Sequence, residues 1–115
     1  MKIRNLVVLA AVAAGLSSCV LNEETFNSHR VLLRHRPDIV AQARAKCESR
    51  VRYTNIEAKR YIAGFMHTGI DGLPEKVCGR MQRAYLAGRM QYPDFKALVT
   101  GQKFTPNMVA ILRAG

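Results

Sequence analysis

The chain is short and strongly basic, which limits both its size class and its partners. It has 115 residues, enough for one small domain and too few for two large ones. Eighteen lysines and arginines oppose eight aspartates and glutamates, a formal net charge of +10. A charge of this size favours polyanionic partners such as nucleic acid, phospholipid head groups or acidic polymers.

The first residues have the layout of an export signal. Lys2 and Arg4 precede an uncharged apolar run over residues 6–16. A helix needs about 20 apolar residues to cross a bilayer core, so this run is too short to be a permanent span. A charged start, a short apolar middle and small residues at the end are typical of a secretory signal.

The apolar run ends in Leu16-Ser17-Ser18-Cys19, which resembles the lipobox of bacterial lipoprotein precursors. The resemblance implies that residues 1–18 are a signal peptide and that the thiol of Cys19 carries diacylglycerol. In many bacteria the freed amine is then acylated, and two or more chains anchor a protein stably. We therefore expect a protein attached to a membrane without spanning it. An ordinary secretory signal with an incidental cysteine and a cytosolic core helix are the alternatives.

Export decides between the possible polyanions. Without residues 1–18 the chain keeps sixteen basic and eight acidic residues, a net charge of +8. An exported protein does not meet the genome, so we exclude nucleic acid and expect anionic lipid, lipopolysaccharide or an envelope protein as partner. In many Gram-negative lipoproteins an aspartate after the cysteine signals retention in the inner membrane. Val20 stands there, which predicts the outer membrane, on its periplasmic face.

Residues 19–36 are predicted to be a lipidated tether, because they lack a convincing helical period. Within them Val31, Leu32 and Leu33 are apolar among arginines. We interpret the segment as a solvated linker with a short apolar latch. Contact with the membrane surface or with the domain is the alternative.

Residues 37–115 are predicted to form an all-α domain of about five helices, three main and two short. Proline suits the first helical position, and an acid behind it meets the positive end of the helix dipole. Three such starts are Pro37-Asp38, Pro74-Glu75 and Pro93-Asp94, and Pro106-Asn107 is a fourth with asparagine behind the proline. The stretch Thr54-Asn55-Ile56-Glu57 predicts a fifth start, as a capping box.

Apolar residues at intervals of three and four place the main helices at about 37–52, 55–67 and 74–92. On the second, Ala58, Tyr61, Ile62, Phe65 and Met66 are predicted to share the buried face. We expect Gly88, on the apolar face of the third, to weaken that helix or to admit a close neighbour.

Cys47 and Cys78 fall on the apolar faces of the first and third main helices. Once Cys19 is lipidated, they are an even pair in a compartment that permits disulfides. We predict a bridge, which closes a loop of about 32 residues and stabilises by roughly 3.5–4 kcal/mol in the chain-entropy model. Two free thiols are the alternative.

The sequence carries little chemistry of the kind that catalysis needs. We find no nucleophile beside a base and no metal-ligand spacing among the histidines. Glu48 lies four residues from both Arg44 and Arg52, which predicts a surface row of ion pairs. We therefore expect no enzyme, no catalytic residue, no metal and no cofactor other than the lipid on Cys19.

The basic residues of the third main helix are the candidate binding site. Lys76, Arg80 and Arg83 fall at i, i+4 and i+7, within about 60° of one another around the helix. Arginine suits phosphate and carboxylate, so this flank is a candidate for binding an anionic surface. A merely solvated charged face is the alternative.

Together these features predict a small envelope lipoprotein with a disulfide-stapled helical domain and a structural or binding role. Two other roles stay open. The protein could be an inhibitor or exclusion factor acting on an envelope protein, or an accessory subunit of an envelope complex.

Overall fold

Six α-helices follow one another in the computed structural model, which describes residues 22–101 and 103–114. They are α1 (Glu23–Arg34), α2 (Pro37–Arg52), α3 (Ile56–Phe65), α4 (Leu73–Leu86), α5 (Tyr92–Gly101) and α6 (Pro106–Ala114). No strand occurs among the described residues, and the predicted all-α class is confirmed. The box at residues 16–19 lies outside them. None of the described helices is long and apolar enough to cross a membrane.

The α4 helix lies at the centre of the domain, with α1, α2 and α6 packed against it. Eight of its fourteen residues are buried, and they extend around more than one side of the helix. They are Leu73, Val77, Cys78, Gly79, Met81, Gln82, Ala84 and Tyr85. The positions of α1, α2 and α6 are therefore defined largely by contact with α4, whereas α5 packs against α1.

The α1 helix corrects the prediction that residues 19–36 form a solvated linker. The side chain of Asn22 accepts a hydrogen bond of 2.7 Å from the Thr25 amide and caps the helix start. Phe26 and Leu33 lie two turns apart on one face and are 0% and 1% exposed. In the sequence this face is obscured by the apolar residues directly before Leu33, which are about half exposed in the structure.

The helix starts agree closely with those predicted from the sequence. Asp38, Glu57, Glu75 and Asp94 all lie in first turns, as predicted. The α3 start differs in detail, since Asn55 and not Thr54 accepts the hydrogen bond from the Ala58 amide. Thr54 lies one residue before this cap, and its hydroxyl donates to the Arg50 carbonyl of α2 at 2.7 Å. Tyr61 of α3, expected in the core, is 51% exposed.

The end of α4 also differs from the sequence prediction. The helix stops at Leu86 and not at residue 92, because Gly88 adopts a φ of +82°. In this left-handed conformation the Arg89 amide donates to the Ala84 carbonyl and closes the helix. Gly88 is thus a helix terminator and lies in the turn before α5.

The bond between Cys47 and Cys78 joins α2 to α4, as the sequence predicted. Both cysteines are fully buried and belong to the hydrophobic core. The bond therefore links α2 and α4 inside the core.

Loss of this bond is expected to destabilise the domain strongly. The Cys47→Ala/Cys78→Ala variant should melt about 10 °C or more below the oxidised protein, because a domain of this size shifts by about 4–8 °C per kcal/mol. Circular dichroism melting measures the difference. Complete alkylation of both cysteines in native protein that has not been reduced would contradict the presence of the bond. Equal melting temperatures of the two proteins would contradict its stabilising role.

Candidate binding surface

Two arginines of α1 are directed at the carbonyl end of α4. The Nε of Arg30 donates to the Tyr85 carbonyl at 2.6 Å, and its Nη2 donates to the Met90 carbonyl at 2.9 Å. The Nε of Arg34 donates to the Leu86 carbonyl at 2.8 Å. Carbonyl groups in the last turn of a helix lack intrahelical partners and form the negative end of its dipole. The two arginines therefore cap α4 from outside.

Arg30 also lies against two aromatic rings of the core. Its guanidinium carbon is 5.2 Å from the Phe26 ring centroid and 5.1 Å from that of Tyr85, within the range of cation–π contacts. The Tyr85 hydroxyl donates to the Phe26 carbonyl at 2.7 Å. Burial raises the pKa of Tyr85 to about 12, although Arg30 opposes the shift. The tyrosine therefore stays neutral and bonded at physiological pH.

The same use of basic side chains recurs at three other helix ends. Lys59 donates to the Arg52 carbonyl at the end of α2, and Arg113 donates to the Phe65 carbonyl at the end of α3. Arg80 donates to the Leu112 carbonyl in the last turn of α6, at 2.6 Å. Some of the lysines and arginines therefore cap the carbonyl ends of neighbouring helices.

The three residues of the candidate basic flank have different surroundings. The Nζ of Lys76 donates to the Thr68 hydroxyl at 2.6 Å, and Arg80 is bound to α6. Arg83 is exposed, and its side chain makes no hydrogen bond or ion pair within the described part of the chain. The structure therefore does not bring Lys76, Arg80 and Arg83 together as three free cations.

A second pair of arginines converges where α2 meets α4. The Nε of Arg44 donates to Oε1 of Gln82 at 2.8 Å, and Nε2 of Gln82 donates to the Val40 carbonyl at 2.9 Å. A Cβ atom on Gly79 would lie 3.0 Å from Nη1 of Arg83 and 3.6 Å from Nη1 of Arg44. Both guanidinium groups therefore lie over the same glycine. The spacing of the sequence does not reveal this pair, because its members belong to different helices.

The predicted ion-pair row along α2 is wrong. In the described ranges Glu48 forms no ion pair with either Arg44 or Arg52. Arg44 binds Gln82 instead, and Arg52 lies 3.6 Å from the carboxylate of Glu75. The cause is the packing of α4 against α2, which supplies partners that helical spacing alone does not show.

Asp94 is the one acidic side chain that is buried among the described residues. Its carboxylate accepts hydrogen bonds from the Gln91 amide, the Asn107 amide group and the Thr105 hydroxyl. These donors join the start of α5 to the segment that leads into α6. The carboxylate is therefore used to hold two helices together.

A row of aromatic rings crosses from α3 to the segment before α6. Tyr61 and Phe65 have ring centroids 5.9 Å apart, and Phe65 and Phe104 have centroids 5.0 Å apart. Beside the row is a shallow groove of about 560 Å³ whose lining includes Val109 and Arg113. Tyr61 extends the row to the protein surface.

The described residues contain no group of three His, Cys, Asp or Glu side chains placed to hold a metal ion. Comparison of the chain with protein-family models, curated proteins and solved structures found no significant match.

Arg80 is expected to behave as a stabilising cap. Arg80→Gln should lower the melting temperature by about 5 °C or more, because a hydrogen bond from a charged group stabilises by about 1.5–3 kcal/mol. Arg89→Gln is the matched control, since Arg89 is exposed and lies just beyond the same helix. Circular dichroism melting compares them, and equal melting of both variants with the parent would show that the bond to Leu112 is not stabilising.

Proposed function

We propose that this protein is a small lipoprotein of the bacterial envelope, anchored through an acylated Cys19, with a non-enzymatic structural or binding role. The observation that carries the proposal is Leu16-Ser17-Ser18-Cys19 at the end of a short, positively preceded apolar run. The buried Cys47–Cys78 bond supports it, because such bonds persist mainly in exported proteins.

The position of α1 supports a role close to the membrane. The helix begins at Glu23, and Asn22 caps it. Two residues lie between Cys19 and Asn22, so their Cα atoms are at most about 11 Å apart even when this stretch is fully extended. An anchor at Cys19 would therefore hold the helical domain against the lipid surface and would leave no long stalk.

The charge of the domain indicates the kind of surface or partner it meets. Sixteen basic and eight acidic residues follow the box, and most of the acids lie at helix starts or in ion pairs. Anionic lipid, lipopolysaccharide or an acidic envelope protein are the partners of this chemistry. With Val20 after the cysteine, we place the protein at the outer membrane, on the periplasmic face.

Acylation of Cys19 is the direct test. Mass spectrometry of the protein from bacterial membranes should find an N-terminal peptide that begins at Cys19 and carries the mass of the acyl groups. Cys19→Ala should leave the full-length precursor or an unlipidated product. Cys47→Ala is the control, because its removal should leave the lipid in place. An unmodified N-terminus that begins at another residue would overturn the lipoprotein proposal.

A further inference from the structure

We propose that Arg44 and Arg83 form a binding site for a phosphate-type oxyanion, over Gly79 at the junction of α2 and α4. The site deepens the proposed role at an anionic surface. It depends on described residues only, and it does not require Cys19 to be lipidated.

The geometry of the two guanidinium groups fits a single bridging anion. The Cβ position of Gly79 is 3.0 Å from one Nη1 atom and 3.6 Å from the other. The two Nη1 atoms are therefore at most the sum of these distances apart. Charge-assisted hydrogen bonds to an oxyanion are about 2.7–2.9 Å long. If each Nη1 atom binds a different oxygen of one tetrahedral anion, the two hydrogen bonds and the oxygen–oxygen edge between them can span this separation. Arginine's planar fork also suits phosphate.

Neither arginine of the site forms an ion pair within the described part of the fold. Within residues 22–101 and 103–114 the ion pairs are Arg36–Asp38 and Arg52–Glu75, so neither Arg44 nor Arg83 has a carboxylate partner. Two like charges held this close repel each other. A bound oxyanion would remove that repulsion, and the pair is therefore arranged to bind one.

Two features hold Arg44 in place before any ligand arrives. Gln82 is only 1% exposed, and it fixes the Nε of Arg44 while its own amide is bound to the Val40 carbonyl. The disulfide supplies the second constraint, since Cys47 lies one turn after Arg44 and Cys78 directly precedes Gly79. A site whose donors are held before binding loses less conformational entropy when the ligand arrives.

Gly79 is part of the site because it has no side chain. Glycine is less favourable than alanine inside a helix, and Gly79 lies in the middle of α4. A Cβ atom there would be 3.0 Å from Nη1 of Arg83, too close for the guanidinium to keep its position. The glycine therefore gives the arginine room to fold back over the helix.

The surroundings indicate which phosphate compounds would fit. A groove of about 400 Å³ adjoins Arg44 and Gln82, and its lining includes Val40, Ala41 and Glu48. The apolar residues would accept part of an ester group. Free phosphate and the phosphate of a lipid head group share the chemistry that the arginines recognise.

Titration of the full chain in uncharged detergent micelles with inorganic phosphate, followed by isothermal calorimetry, tests the site. The Cys47–Cys78 bond is kept oxidised throughout. Arg83→Gln should weaken binding at least tenfold, because it removes one of the two charged forks. Gly79→Ala should weaken binding several-fold and at the same time raise the melting temperature, which separates displacement of Arg83 from loss of fold. Arg50→Gln is the matched control, since it removes the same charge from an exposed position of α2.

A short-chain phosphatidylglycerol at equal ionic strength distinguishes the sources. Tighter binding of the lipid than of inorganic phosphate, lost in Arg83→Gln, assigns the site to a head group, and equal binding assigns it to free phosphate. Absence of saturable binding of either compound below about 10 mM would overturn the proposal. Equal weakening by Arg83→Gln and Arg50→Gln would do the same, because it would show a general effect of net charge. Neither result bears on Cys19, whose acylation is measured separately.

Discussion

The carbonyl end of α4 must be satisfied although the helix is buried on most of its sides. Polar backbone groups shielded from water require partners, and the turn after α4 supplies some of them, since the Gly88 and Arg89 amides bind the Tyr85 and Ala84 carbonyls. Arg34 binds the Leu86 carbonyl and Arg30 adds a second donor to the Tyr85 carbonyl, so α1 completes the capping of the central helix. On another side the Cys47–Cys78 bond holds α2. A domain this small gains little from its core alone, and these two constraints therefore support the whole arrangement.

The basic composition has two uses in this fold. Several cations lie at helix ends of neighbouring elements, where they are bound to carbonyl groups and are of little use to a ligand. Arg44 and Arg83 differ because they converge on one point without a carboxylate partner. Net charge would draw the domain towards anionic groups in general, whereas two guanidiniums that converge on one point would select the geometry of the anion. A short link to Cys19 would keep both near the lipid surface.

The sequence correctly predicted the features that follow from the local pattern of residues along the chain. The α2 bounds follow from Pro37 and from apolar residues every four positions, and the disulfide from two cysteines on apolar faces. The α1 helix was missed although its sequence carries a cap, two acids in the first turn and an apolar face, because exposed apolar residues next to Leu33 obscure that face. The partner of Arg80 could not be predicted for a related reason, since a helical wheel shows direction and not the acceptor on α6. Predicting the Arg44–Arg83 pair requires the relative position of two helices, and no single stretch of sequence contains that information.

Hydrogen exchange of the oxidised protein, resolved by residue, is the most direct measure of whether α1 completes α4. If it does, the amides of α1 from Arg30 to Arg34 should exchange through the same opening as those of the α4 centre, with similar free energies. In the Arg30→Gln variant, protection should fall in α1 and in the last turn of α4 together. Exchange of α1 at the rate of an unstructured chain, with α4 still fully protected, would contradict this account.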